Sequence, residues 1–296
     1  AFDKAPLVSN GAYCAEKWSQ GGELTAVRNA EYYEARIVGP DTLHFVFAGS
    51  SREAWELYEN GEIDYVDHLP DEVIAELSQQ SGWTAREILA TVCVLYNNET
   101  DLFSNEHIRM AFDLAIDRTA VTKAAGTENR AATGLVPHGI PDAGETEDDF
   151  RTTGGTLCAI DEESLGERQD KAREELTFAG YYSNAMFPPI ELLYVSGTEN
   201  DAVAALLQQT WSSVLSVNVM LHGVTQAEYE SRMEEGNYEL ALKKVTALYD
   251  DAMSFLDRWC SEDEQNLIGY ENGTYDVLLG VARTSENPVA RIAFLH

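Results

Sequence analysis

Pro188-Pro189 leads into Ile190-Glu191-Leu192-Leu193-Tyr194-Val195, and Val203, Leu206, Leu207 and Trp211 then recur at helical spacing before Val217-Asn218-Val219-Met220-Leu221. A second helical stretch, 226–235, stops at Gly236, and Tyr238-Glu239-Leu240-Ala241-Leu242 resumes the extended pattern. The short apolar runs have strand length, and the segments between them have the period of a helix packed on one side. Strand–helix–strand–helix–strand in this order predicts parallel strands joined by right-handed crossovers, an α/β architecture.

The pattern extends in both directions. Upstream, a helix from 167 ends at Gly180. Before it, 127–166 is rich in Gly, Thr, Asp and Glu and reads as a long surface loop, most acidic from Glu145 to Asp149. A strand near 88–96 precedes a helix capped around Ser104-Asn105-Glu106, and Asp117 caps a second, short helix ending at Gly126. Further upstream, Leu43, Phe45 and Phe47 alternate on one face of a strand over 42–47, with His44 on the other face. A helix capped by Ser50 or Ser51, a strand over 62–66 and a helix opened by Pro70 follow. Trp18, Trp55, Trp211 and Trp259 all fit packing positions. The last residues, 290–296, read as a helix, so the chain is expected to be a fragment of a longer protein.

The chain has 296 residues, with 51 Asp+Glu against 20 Lys+Arg, a formal net charge of −31. Hydrophobic residues make up 44%, enough to build real cores, so disorder throughout is excluded. A field this negative repels nucleic-acid phosphates and anionic membrane surfaces alike. No apolar run approaches the roughly 18 residues of a membrane-spanning helix. The chain shows no targeting segment at its start.

Enzyme signatures are missing. There is no phosphate-cradling G-x-x-x-x-G-K-[ST], no G-x-G-x-x-G, no G-x-S-x-G and no H-E-x-x-H. Cys14, Cys93, Cys158 and Cys260 have no metal-like spacing; Cys93 lies in an apolar run and reads as a buried thiol, and one disulfide is allowed without naming its pair. The acidic run at 145–149 lacks the ligand order of a calcium loop. Two weaker constellations remain. Asp250-Asp251 follows a strand, where ligands dock in parallel sheets. Adjacent carboxylates there could bind a cation, an amine or a sugar hydroxyl, or raise one another's pKa; alternatively one caps the next helix and the other is solvated. Asp67-His68 also follows the expected 62–66 strand.

Several segments resemble one family. Pro6-Leu7-Val8-Ser9-Asn10-Gly11-Ala12-Tyr13 with Trp18, then Arg28-Asn29-Ala30-Glu31-Tyr32-Tyr33, then the helix ending Gly61-Glu62-Ile63-Asp64 are similar to segments of the extracellular solute-binding proteins, family 5, of oligopeptide and dipeptide ABC transporters. Tyr96-Asn97-Asn98 and Ile108-Arg109-Met110-Ala111-Phe112-Asp113-Leu114-Ala115-Ile116-Asp117-Arg118 form the most specific match. Gly134-Leu135-Val136-Pro137 and Tyr249-Asp250-Asp251-Ala252-Met253-Ser254-Phe255-Leu256 complete a collinear series.

The resemblance implies a periplasmic-binding-protein-like type II fold: residues 1–88 as part of lobe I and 89–296 as most of lobe II, with the C-terminal return to lobe I missing. It implies a monomeric receptor rather than an enzyme. Such a receptor takes no cofactor, captures a peptide-like solute and delivers it to permease subunits outside the cytoplasmic membrane, lipid-anchored or periplasmic. By the same resemblance, Asp67, His68, Cys93, Asn200, Gln226, Lys244, Thr246, Tyr249 and Asp250 face the ligand. Leu248 stands where the peptide binders carry the Asp that pairs with a peptide ammonium, which opens the ligand class to blocked peptides, glycans or metal chelates. Two other readings are a ligand-sensing domain of a regulator, and a hydrolase using the acidic pair with His68.

Overall fold

The computed structural model describes residues 9–19, 23–84, 88–126, 129–143, 149–182 and 187–296. The chain forms two compact units, 1–86 and 87–296.

The first unit carries a three-stranded antiparallel sheet, β1 (Tyr13–Trp18), β2 (Glu23–Arg28) and β3 (Thr42–Val46), in that order. Two helices follow, α1 (Ser51–Glu59) and α2 (Asp71–Leu77). Ser50 caps α1 by accepting from the Glu53 amide at 3.2 Å. Two expectations fail here. Residues 62–66 form no strand: their alternation has no paired ladder, and Tyr65 is 78% exposed. Trp18 is not core, being 42% exposed at the end of an outer strand. Phe45 and Phe47 also stay exposed, while Trp55 is half-buried and stacks on Tyr58 at 5.4 Å.

The second unit is built on a four-stranded sheet in the order β4-β7-β5-β6: β4 (Ala90–Tyr96), β5 (Ile190–Val195), β6 (Val219–Val224) and β7 (Leu240–Thr246). β5, β6 and β7 are parallel, as the 188–246 pattern requires, and β4 lies antiparallel on β7. The connecting helices are α7 (Asn200–Leu215) and α8 (Gln226–Glu234). β6 starts two residues later than the pattern suggests, because Ser216 takes a left-handed turn at φ 58; the Asn218 carbonyl already accepts the Ile190 amide of β5.

Side chains alternate along each strand, so one sheet serves two cores. Ile190, Leu192, Leu240 and Leu242 face one cluster, covered by α3 (Glu106–Leu114), α6 (Leu165–Phe178) and α7. Its centre is aromatic: Phe112 meets Phe103 edge-on at 5.6 Å and Trp211 at 5.1 Å, and the Trp211 indole donates to the Phe112 carbonyl at 2.9 Å. Leu193, Ala241, Val245 and Leu95 face the second cluster, covered by α8, the short α9 (Met253–Leu256), α10 (Gly273–Thr284) and α11 (Pro288–Leu295). Trp211 and Trp259 are both buried.

Asp117 caps the short α4 (Arg118–Ala124), accepting from Ala120 at 3.0 Å. The expected surface loop after it is corrected in part. Val136, Ile140 and Phe150 are buried in the second cluster, and Phe150–Gly154 forms α5. Three anchors so widely spaced leave no periodic trace in the sequence. Most of the acidic run, 145–148, falls outside the described residues. All four cysteines are free thiols. Among the described residues, no helix is long and apolar enough to cross a membrane.

Candidate functional site

The carboxyl ends of β5, β6 and β7 and the amino end of β4 share one edge of the sheet, and it is there that parallel sheets present ligand contacts. Local hydrogen bonding shapes this edge. After β5, Ser196 bonds the Val224 carbonyl through both its amide and its hydroxyl, Thr198 returns its hydroxyl to the Val195 carbonyl at 3.0 Å, and half-buried Asn200 opens α7. After β6, Thr225 caps α8 and exposed Gln226 begins it, its amide donating to Glu230 at 2.7 Å. After β7 comes Ala247-Leu248-Tyr249-Asp250-Asp251. Thr246 and Lys244 are both exposed on one face of β7, opposite Ala90 and Val92 of β4.

The 247–251 loop has a fixed frame. The Leu248 amide donates to the Ser254 hydroxyl at 2.7 Å. The Asp251 carboxylate accepts the Met253 amide at 2.8 Å and both Arg291 Nη atoms, at 2.8 and 2.9 Å. Burial alone would raise the Asp251 pKa, but Arg291 and the Met253 amide outweigh it and hold the carboxyl below its ordinary value. Asp250 is exposed. The two adjacent carboxylates therefore do different jobs: Asp251 anchors the loop and Asp250 projects from it. Leu248 and Tyr249 are 76% and 51% exposed. The Tyr249 phenol is pushed upward by burial and by the nearby Asp257 and Asp251.

Asn200, Gln226, Lys244, Thr246, Tyr249 and Asp250 thus gather along one edge. Cys93 belongs to the opposite face of β4, paired with Lys243, and packs against the second core. Burial pushes its thiol up to about 12, so it stays protonated. Asp67 and His68 belong to the first unit. Both are exposed, with His68 Nδ1 3.2 Å from Asp67 Oδ2, a contact that lowers the Asp67 pKa.

Lys243 and Arg258 escaped the sequence reading. Lys243 is half-buried, and its ammonium pKa is lowered first by burial and then by Arg258, which donates to the Thr246 and Ser254 carbonyls. The usable signal was composition: Lys243-Lys244 is the sole lysine pair in a chain of six lysines. Arg291 was also missed, lying forty residues from Asp251. Among the described residues, no cluster of His, Cys, Asp and Glu is arranged to hold a metal ion.

Residues 1–266 match the family of bacterial extracellular solute-binding proteins, family 5 Middle. The chain belongs to that family. Among curated relatives, the dipeptide-binding protein DppE of Bacillus subtilis is 22% identical over 293 residues, covering 98% of this chain and 52% of its own. The probable deoxycholate-binding periplasmic protein YgiS of Escherichia coli is 26% identical, covering 93% of this chain and 50% of its own. Among solved structures, Haemophilus influenzae OppA in complex with RPPGFSPFR superposes with a TM-score of 0.82 at 22% identity, over 97% of this chain and 55% of that one. The chain spans about half the length of the curated relatives it matches. As a member of family 5 it has the α/β fold of the peptide-binding proteins, and the family is one of solute binders acting outside the cytoplasm.

Proposed function

We propose that the full-length protein is the substrate-binding component of an ABC importer, capturing oligopeptides or related small solutes and handing them to membrane permease subunits. The observation that carries this reading is the sheet edge of the second unit, where Asn200, Gln226, Lys244, Thr246, Tyr249 and Asp250 present polar groups from three successive strand–helix junctions. In this reading residues 1–88 contribute to one lobe and 89–296 to the other. The protein works as a monomer, lipid-anchored or periplasmic, and turns over no substrate. A half-exposed set of amide, hydroxyl, ammonium and carboxylate groups suits hydrogen bonding to a solute and contains no nucleophile–base pair.

Leu248 shifts the ligand class. By the family resemblance, an apolar, 76% exposed side chain stands where the peptide binders pair a peptide ammonium, so in this reading the N-terminal group of a free peptide turns to Asp250. The relative described as probably deoxycholate-binding shows that similarity of this order extends to proteins named for solutes other than peptides.

Thermal unfolding of the full-length protein against libraries of free-amine peptides, N-blocked peptides, glycans and chelated metals tests the proposal. A solute at a hundred times its Kd adds about 2.7 kcal/mol to stability. A shift with free-amine peptides that Asp250→Asn abolishes assigns the ammonium to Asp250. A shift confined to blocked or non-peptide solutes keeps the receptor reading and moves its substrate class. Turnover of any library member, or no shift across all four classes, overturns the receptor reading.

A further inference from the structure

Arg151 is a buried cation with no counter-charge among the described residues. It is 5% exposed, and its Nε has no hydrogen-bond partner. The guanidinium lies between two glycines. A Cβ on Gly134 would clash with Nη1, and one on Gly154 would lie 2.8 Å from Nη2. Any larger residue at either position would displace the group, so the sequence keeps a space for it on both sides.

Among the described residues, the carboxylates of this region have other partners. Asp149 accepts from the Gly139 and Thr152 amides and contacts His138. Asp142 accepts the Ala143 amide and lies 3.4 Å from His296 Nε2. Asp113 is bound by Arg118 at 2.5 Å. The Cys158 thiol is another polar neighbour; burial raises its pKa while Arg118 and Arg151 pull it down, so near neutral pH it is no anion. His296 stacks on Phe150 at 4.2 Å, and its Nδ1 comes as close to the Gly154 Cβ position as Arg151 Nη2 does. A chain with 51 acidic residues leaves this guanidinium unpaired among the described residues. Burying a charge without a partner is strongly destabilising, and a bound anion removes that penalty.

We propose that Arg151 is a binding site for a small carboxylate, which takes the N–H groups of Nε and the adjoining Nη as a parallel pair. The guanidinium fork matches two carboxylate oxygens better than it matches a monatomic ion. The site is separate from the sheet edge and independent of the imported solute. Binding there stabilises the fold of the second unit by clamping α5 to the Gly134 turn.

The test is equilibrium unfolding of the full-length protein with no imported solute, replacing a bulky sulfonate by formate at constant sodium and ionic strength. Above the apparent Kd, the folded-to-unfolded ratio should rise tenfold for each tenfold increase in formate. Arg151→Met and Gly154→Ala should each abolish that dependence. Should both variants fail to fold, carbon-13 formate line broadening on the natural protein replaces them, and a line as narrow as in buffer overturns the proposal. Absence of formate dependence in the natural protein also overturns it, as does an undiminished dependence in Arg151→Met. An equal response to chloride overturns the carboxylate assignment.

Discussion

Arg291 and Asp251 show how one pair can set the geometry of a loop it does not belong to. The bidentate contact, at 2.8 and 2.9 Å, joins α11 to the segment carrying Tyr249 and Asp250. Arg291→Met should cost about 1.5–3 kcal/mol, the range for hydrogen bonds to charged groups. The sign with pH follows from the lowered Asp251 pKa. Folded Asp251 holds its proton less tightly than the unfolded residue, whose pKa is about 3.9, so the pair's contribution is complete above that value and fades as pH falls below it. Urea unfolding at pH 7 and pH 3 checks this: Arg291→Met should differ from the natural chain at pH 7 and approach it at pH 3. An equal difference at both pH values would show that the loss is packing rather than charge. Trp211 belongs to the same scale. Its ring is fully buried and its N–H holds the Phe112 carbonyl, so Trp211→Ala should cost about 3–5 kcal/mol in the same measurement.

At the scale of elements, the most specific family-like motifs, around Asn97 and from Ile108 to Arg118, turn out to be scaffold. Asn97 is 2% exposed and donates to the Gly236 and Tyr238 carbonyls at 3.0 and 2.9 Å, closing the end of β4 onto the turn between α8 and β7. Arg109 holds the Phe103 and Ser104 carbonyls, and Arg118 holds Asp113. Asn97→Ala strands the buried Tyr238 carbonyl and the half-buried Gly236 carbonyl, and a loss of about 2–3 kcal/mol in thermal or urea unfolding is expected; a loss below about 0.5 kcal/mol would show that water replaces the amide. The same distinction explains what was legible. The β5–α7–β6–α8–β7 run was readable because burial on a parallel sheet imposes long apolar strands and one-sided helices. Residues 62–66 misled because alternation describes a half-buried strand only when a neighbour supplies the ladder, and none of the described strands does. Within 127–166, Val136, Ile140 and Phe150 are core residues fixed by tertiary contacts that no local period records. The candidate site was partly legible: the end of a strand pointed to Asp250, while Asn200 and Gln226 came only from the family resemblance. Pairs made across long sequence distances, Asp251 with Arg291 and Cys93 with Lys243, had no local signature.

At the scale of the whole molecule, a net charge of −31 on 296 residues dominates. Lysine supplies only six of the 20 basic residues, and several arginines are already committed, as Arg232 is to Glu191 and Arg283 to Asp257. The remaining carboxylates repel one another over a compact surface more strongly than in an expanded chain, so folding works against their field. Salt shortens the reach of that repulsion, from about 10 Å at 0.1 M to about 3 Å at 1 M. The melting temperature of this chain should therefore rise steadily as sodium chloride increases from 0.1 to about 2 M. Screening also weakens the exposed ion pairs, such as Lys17 with Glu23, but pairs of that kind are worth at most about 1 kcal/mol each, and repulsion among the surplus acids outweighs them. Potassium chloride should act as well as sodium chloride if screening is the cause, whereas sucrose, which is excluded from the surface but carries no charge, should leave most of the effect unreproduced. A melting temperature flat across this salt range would mean that the acidic groups are spaced widely enough for water alone to insulate them.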